Sequence, residues 1–221
     1  MDSGRDAAQP RPYNARMTRP VFLGGSFDPP HLGHLLMAER ARETLGVARV
    51  DLLVSAQSPH AGGKKASASA AQRVQMARLA VRGNKGLGVD AREVRRAGRS
   101  YTIDTVRELL REDASARPVF VIGGDMLADL PSWKEIGELL TLADFAPVFR
   151  PGYGPELFRL VARKLGHEVA SRLQDSVIEM PLLEISSRAI RSRLKAGLSV
   201  RYLLPDVVVK FIHGHGLYSA K

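Results

Sequence analysis

The chain reads as an α/β protein with a doubly wound parallel sheet, helices covering both faces. Short apolar runs of strand type recur along it: Val21-Phe22-Leu23, Val50 to Val54 and Val119 to Ile122. A segment with helical apolar spacing follows each run, and two runs end in glycine pairs, Gly24-Gly25 and Gly123-Gly124. Strands this short and this uniformly apolar are buried on both sides, as a parallel sheet between two helical layers requires.

Residues 1 to 19 have little apolar content and several Pro, Gly and Arg, so they read as a mobile tail, with Met17 as an alternative start. Residues 20 to 221 are expected to form a single domain. Val21 to Leu23 is the first strand. His34 to Leu45 sets Leu35, Leu36, Ala38, Ala41 and Leu45 on one helical face, and Gly46 stops it. Val50 to Val54 is the second strand. Residues 55 to 71, rich in Ser, Ala, Gly and Lys, form a long loop, and Ala71 to Val81 is a helix. Val89 to Val94 is expected as a strand, then Thr102 to Arg111 as a helix with Asp104 in its first turn, where the dipole favours an anion. After the strand Val119 to Ile122, Pro131 divides Met126 to Leu140 into two short helices. Ala146 to Phe149 and Ser176 to Met180 are strands. Ser187 to Lys195, stopped by Gly197, and Pro205 to His213 are the closing helices. In such folds ligands bind beyond the C-terminal strand ends, where Gly-rich turns feed helix N-termini.

Composition narrows the function. With 44% hydrophobic and 25% charged residues the chain can bury a core, unlike a disordered one. It has no cysteine. That excludes a disulfide framework, a thiolate nucleophile and a cysteine-ligated zinc or iron–sulfur site. No apolar run approaches the roughly 20 residues of a membrane helix, and the N-terminus lacks the apolar core of a secretory signal. A soluble, cytoplasmic protein is expected, with no membrane partner. The net charge of +10 suits nucleic acid, an anionic surface or phosphorylated ligands. It is concentrated: residues 60 to 100 carry +8, residues 181 to 221 carry +5, and residues 101 to 150 carry −4.

The segment GGSFDPPHLGH, Gly24 to His34, lies directly after the first strand. Gly24 and Gly25 allow the backbone to approach a ligand closely. Asp28 and Pro29 each precede a proline, which keeps them out of the helix. His31 and His34 are three residues apart and share a face if the helix begins near His31. There the free N–H groups favour an anion, and two imidazoles can donate to phosphate oxygens and become cationic as charge develops. A zinc pair is the alternative, but no third ligand has the usual spacing nearby. In the second segment, ISSRAIRSRL from Ile185 to Leu194, Ser186 and Ser187 sit where hydroxyls cap either a helix or a phosphate. Arg188 and Arg191 share a face and can clamp phosphate.

On these residues the chain resembles the nucleotidyltransferase superfamily with the His-x-Gly-His motif, and within it the bacterial nicotinate-nucleotide adenylyltransferases. The resemblance spans Pro20 to about Tyr218 and implies a Rossmann-like sheet of the nucleotidyltransferase type. It implies that His31 and His34 contact ATP phosphates and stabilise the transition state, and that Gly24, Gly25, Ser26 and Phe27 line the nucleotide site. Ile185, Ser186, Ser187, Ile190 and Arg191 fit the superfamily's second motif, which binds triphosphate; Arg188 stands where Thr or Ser is common. In VFVIGGDMLADLPSWKE, Asp125 is placed to accept ribose hydroxyls or to cap its helix, and Trp133 to stack on the nicotinate ring. RSYTIDTVREL places Ser100, Tyr101 and Thr102 near nicotinate mononucleotide. Arg150 to Tyr153 fits the family pattern, and Leu204 to Tyr218 fits as a closing structural helix. Ser58 to Lys65 departs from the family's Pro-Pro-His-Lys, although its small residues suit a mobile lid carrying Lys64 and Lys65.

The implied reaction is attack by the 5′-phosphate of nicotinate mononucleotide on the α-phosphorus of ATP, giving deamido-NAD and pyrophosphate. His31, His34 and Arg191 are the expected catalytic set. Mg²⁺ is expected with ATP, held by phosphates and water, with no metal site of the protein's own. Pantetheine-phosphate adenylyltransferases and cytidylyltransferases share His-x-Gly-His. The longer chain, the second glycine, Ser100 to Thr102 and Trp133 favour the nicotinate branch. No helix-turn-helix, RNA-recognition or zinc-finger pattern is present, so no specific nucleic acid is expected.

Overall fold

A computed structural model describes residues 19–59, 66–149, 156–181 and 183–219, apart from the side chain of Asp125. Residues 1 to 18 of the expected tail, the Lys64-Lys65 stretch and Arg150 to Tyr153 lie outside the described residues, whereas Arg19 joins the folded domain, donating to the Arg117 carbonyl at 2.8 Å and pairing with Asp144. In chain order the elements are β1 (Val21–Gly25), α1 (Leu32–Thr44), β2 (Val50–Val54), α2 (Ala70–Ala80), β3 (Leu87–Asp90), α3 (Arg92–Arg96) and α4 (Thr102–Glu112). Then come β4 (Val119–Gly123), α5 (Gly124–Asp129), a 3₁₀ turn at Leu130–Ser132, α6 (Ile136–Leu142) and β5 (Asp144–Phe149). α7 (Glu156–Leu165), α8 (His167–Asp175), β6 (Ile178–Glu179), α9 (Ser187–Lys195) and α10 (Asp206–Gly214) complete the series.

The six strands form one sheet in the order β3-β2-β1-β4-β5-β6, and every pairing is parallel. The alternation of side chains along each strand builds two cores. Val21, Leu23, Val50, Leu52, Val119, Val121 and Val148 face α1 and α2, meeting Met37, Ala38, Ala41, Val74 and Ala77. Phe22, Leu53, Phe120, Ile122 and Phe145 face the other way, onto Ile103, Val106 and Leu109 of α4, Leu139 of α6, and α7 and α8. The sheet is therefore doubly wound, as expected. A third cluster joins Met76 of α2 to Ile190, Val208 and Ile212 of α9 and α10. α2 is thus buried on two sides, and it carries the C-terminal helices.

Two segments differ from the sequence reading. The expected strand Val89 to Val94 stops at Asp90 and becomes α3. The Asp90 carboxylate accepts the Arg92 backbone N–H at 2.7 Å and the Arg92 Nε–H at 2.6 Å. This local turn outcompetes the strand. Arg92 and Arg96 then tie α3 to α4 through Glu112 and Glu108. Residues 156 to 175, which received no assignment, form α7 and α8, packed against each other and on the β4–β5 face.

The strand order reverses between β1 and β4, whose neighbours lead away in opposite directions. A crevice opens there at the C-terminal strand ends, the position this topology offers to a ligand. Gly24-Gly25 and Gly123 stand at its two lips.

Candidate active site

The turn after β1 is built on a buried core rather than on solvent. Phe27, Asp28, Pro29, Pro30 and His31 are all buried. Phe27 is 1% exposed with a left-handed backbone, φ 48°, and its ring meets the His34 ring edge-on at 5.0 Å. A Cβ on Gly25 would stand 3.1 Å from that ring, so glycine there makes room for Phe27. The Phe27 side chain is thus core. A ligand can meet only its backbone, which narrows the lining role expected of it.

His31 is the N-cap of α1, and His34 lies in its first turn. The two residues form a reciprocal capping box, in which His34 Nδ1 accepts the His31 backbone N–H at 3.2 Å. Because Nδ1 is the acceptor, the neutral His34 ring carries its proton on Nε2, and that N–H is its donor to a ligand. The rings stack at 3.6 Å and 20°, which places both imidazoles on one face. Gly33 permits this: a Cβ there would lie 3.1 Å from His31 Nδ1. Gly33→Ala is therefore expected to tilt the His31 ring and lower turnover by about tenfold, with little loss of stability, since a positioning error of that size is costly to catalysis. Steady-state rates beside a thermal melt check this, and wild-type turnover in the variant would count against it.

α9 closes onto the same turn. Ser187 Oγ donates to the Pro29 carbonyl at 2.8 Å, and Arg191 Nη1 donates to the Asp28 carbonyl at 2.6 Å. Ser186 caps α9, accepting the Ala189 N–H at 3.2 Å. Both serine hydroxyls thus already join or cap elements, and Arg188 is exposed. Arg191, with its side chain 31% exposed, is the cation of this segment that is held against the histidine turn.

A cavity lies beside this cluster, lined by Gly24, Gly25 and Ser26 from the first turn. Ser55, Ser58 and Pro59 after β2, Glu93 of α3, Ser100 and Thr102 at the start of α4, Gly123 and Trp133 also line it. A Cβ on Gly24 would meet nothing within 4 Å, so its bare face opens on space a nucleotide can use. Trp133 is 9% exposed and packs edge-on against Phe145 at 5.6 Å. With Thr102 and Pro59 it also lines a second cavity, of about 270 Å³, that includes Arg99, Tyr101 and Lys134. Lys134 Nζ sits 4.9 Å over the Tyr101 ring. Of the residues expected to hold the acceptor, Thr102 and Trp133 line both compartments, Ser100 only the first and Tyr101 only the second. Tyr101 is the N-cap of α4, and no side chain caps that helix. Asp125 falls in the first turn of α5, and its side chain lies outside the described residues.

The sequence reading missed four residues at or behind these surfaces. Asp28, 3% exposed, gathers the backbone N–H groups of Ser67 and Ala68 and the Tyr218 hydroxyl on its carboxylate. Arg73, 2% exposed, donates to the carbonyls of Ser26, Ser55 and Ala56. Burial draws its pKa down, while the Asp28 charge opposes that. Glu93, beneath Ser100, accepts the Thr105 hydroxyl at 2.8 Å. Burial pushes its carboxyl up, against hydrogen bonds from Thr105 and Ser100 and the charge of Arg96. Ser55 is buried at the cavity wall. A signal for Arg73 exists in the sequence: it is one basic residue on an otherwise apolar stripe with Met76, Ala77 and Ala80.

Among the described residues, no three His, Asp or Glu side chains converge as metal ligands, and no helix is long and apolar enough to cross a membrane.

Comparison with known proteins bears on this site. The cytidylyltransferase-like family matches residues 22–193. A Marinobacter nauticus protein named "Probable nicotinate-nucleotide adenylyltransferase" is 43% identical over 211 residues, covering 91% of this chain and 97% of that one. A protein of the same name from Symbiobacterium thermophilum is 39% identical over 202 residues, covering 91% and 96%. Among solved structures, Plasmodium falciparum nicotinic acid mononucleotide adenylyltransferase complexed with NaAD superposes with a TM-score of 0.71. It does so at 16% identity, over 91% of this chain and 98% of that one. At that identity the likeness speaks for the fold.

Proposed function

The chain belongs to the nicotinate-nucleotide adenylyltransferases, within the cytidylyltransferase-like family, and on that premise we propose how it moves an adenylyl group from ATP to nicotinate mononucleotide. The observation that carries the reading is the closure of α9 onto the histidine turn, with Arg191 bonded to Asp28 three residues before His31. One domain, residues 20 to 221, then supplies both halves of a polyphosphate site.

The triphosphate lies across Gly24 to Ser26 and the start of α1. The two imidazoles donate to it, because at the helix start the Leu32 N–H already donates to the Leu203 carbonyl at 3.0 Å and the His34 N–H to the His31 carbonyl at 2.9 Å. His31, His34 and Arg191 stabilise charge on the transferring group as the acceptor phosphate attacks in line and pyrophosphate departs. No protein nucleophile takes part, so catalysis rests on holding two polyanions in register. Mg²⁺ fits as a companion of ATP, held by phosphate oxygens and water; when bound it neutralises triphosphate charge. In its capping role His34 presents an N–H, which suits phosphate rather than metal. We place the reaction in the cytoplasm, where ATP is at hand.

The pyridine ring stacks on Trp133, and its carboxylate faces the uncapped N-terminus of α4 around Thr102. A carboxylate gains about 1 kcal/mol more than an amide from such N–H donors, since hydrogen bonds to charged groups are about twice as strong. Nicotinate mononucleotide is therefore expected to exceed nicotinamide mononucleotide in kcat/KM by about fivefold or more. Pyrophosphate release, measured with each mononucleotide and with phosphopantetheine, tests both points. Equal rates for the two mononucleotides would refute the α4 contact, and a preference for phosphopantetheine would refute the acceptor.

A further inference from the structure

We propose that Tyr218 is a positioning residue for adenylyl transfer: through the Asp28 carboxylate it sets Arg191 and the Ser67–Ala68 backbone on the phosphate side of the site. The proposal rests on the reading above for its reaction, but not for its geometry.

Three distant segments meet on Asp28. Its Oδ2 accepts the Ser67 N–H at 2.7 Å, and its Oδ1 accepts the Ala68 N–H at 3.0 Å and the Tyr218 hydroxyl at 2.7 Å. Arg191 Nη1, bonded to the Asp28 carbonyl, stands 3.6 Å from Oδ2. One buried carboxylate therefore links the histidine turn, the end of the loop after β2, α9 and the last turn of the chain. Asp28 directly precedes Pro29-Pro30-His31, so its rotation is transmitted to the histidines as well as to Arg191.

Tyr218 is held in an unfavourable conformation to make this bond. Its φ is 63°, in the left-handed region that a bulky side chain rarely adopts. The preceding turn is fixed by Gly216 N–H to His213 O and Leu217 N–H to Ile212 O. The ring packs on the cluster formed by α2, α9 and α10. Aromatic packing alone needs no hydroxyl, yet this hydroxyl reaches a residue 190 positions away in sequence instead of water. Burial and the Asp28 charge raise the phenol pKa far above its ordinary value. The group stays a neutral donor at any working pH, a fixed strut rather than a titrating switch.

Tyr218→Phe in the full chain removes that donor and keeps the ring. The expected result is a fall in kcat of about tenfold, the scale of one hydrogen bond to a charged group, with the acceptor KM and the melting temperature little changed. ATP affinity, measured by calorimetry without acceptor, should weaken as Arg191 loosens. In a cycle with Arg191→Lys, the lysine substitution should cost less in the Tyr218→Phe background than in wild type, because the two residues act through one carboxylate. Unchanged kcat and ATP affinity, or strictly additive losses, would overturn the proposal, as would a loss explained wholly by a lower melting temperature. If Tyr218→Phe does not fold, Asp28→Asn gives the same cycle. A wild-type protein inactive with nicotinate mononucleotide would defeat the functional reading alone. The ATP-binding cycle would still decide the role of Tyr218.

Discussion

Replacing His31 with alanine is expected to lower turnover by about 10²–10³, the effect of removing one preorganised donor from a transition state. His34→Ala should cost at least as much. It removes a donor, and it also frees the His31 backbone N–H that His34 Nδ1 accepts at 3.2 Å. The rings stack at 3.6 Å, so either deletion also leaves the surviving ring without its neighbour. The double variant should therefore lose less than the product of the two single losses. Since α1 packs through Met37, Ala38 and Ala41, farther along the helix, the fold should survive both changes. The check is pyrophosphate release at saturating ATP and nicotinate mononucleotide. Near-normal turnover in His31→Ala would remove the imidazole pair from the mechanism.

Arg73→Met should be the most destabilising single change in the phosphate-binding framework. The guanidinium spans the carbonyls of Ser26 and Ser55 at 2.7 Å and of Ala56 at 2.9 Å. Methionine has similar length and no donor, so the buried Ser55 carbonyl and the part-buried carbonyls of Ser26 and Ala56 would lose a partner. At about 1–3 kcal/mol for each unsatisfied group, partly relieved by relaxation, the loss should reach about 3–5 kcal/mol. For a chain of this size that lowers the melting temperature by roughly 10 °C. Arg73→Lys keeps the charge, but one ammonium cannot reproduce the planar fork, so it should fall between the two. A thermal melt of the three proteins decides it: a methionine variant melting with wild type would show that the carbonyls find other donors.

Much of the fold was legible because it is written locally. Val21 to Leu23 and Val119 to Ile122 are short apolar runs ending in glycine, and they became β1 and β4, the strands flanking the switch point. Pro131 divided α5 from α6 by chemistry that acts within a few residues, with the 3₁₀ turn between them. The error at Val89 to Val94 shows the limit of apolar pattern. Val89 and Val94 favour a strand, but the Asp90 side chain bonds the backbone two residues on and ends it. α7 and α8 went unassigned although α7 presents Val161 and α8 presents Ala170 and Leu173 to the core. The Gly166 between them, at φ 98°, separates two short helices whose patterns merge when read together.

By itself the sequence determined the order of elements apart from α3, α7 and α8, the position of the ligand crevice, and the two motifs beside it, Gly24 to His34 and Ile185 to Arg191. These are local properties: strand and helix periodicity, glycine and proline punctuation, and side chains three residues apart on one turn. The tertiary structure alone decided which charges are free to act. The basic run of residues 60 to 100 suggested an anionic partner. In the folded chain Arg92 and Arg96 are bound to Asp90, Glu112 and Glu108, and Arg73 is sealed beneath the first turn. The acidic segment after it answers two of those charges, through Glu108 and Glu112, whereas Arg191 stays accessible beside the histidines. The bonds of Asp28, Arg73 and Tyr218 were invisible for the same reason, although Arg73 stands out as the basic residue on its apolar stripe. Their partners lie 17 to 190 residues away, so their meaning arises only when the sheet and the C-terminal helices bring those segments together.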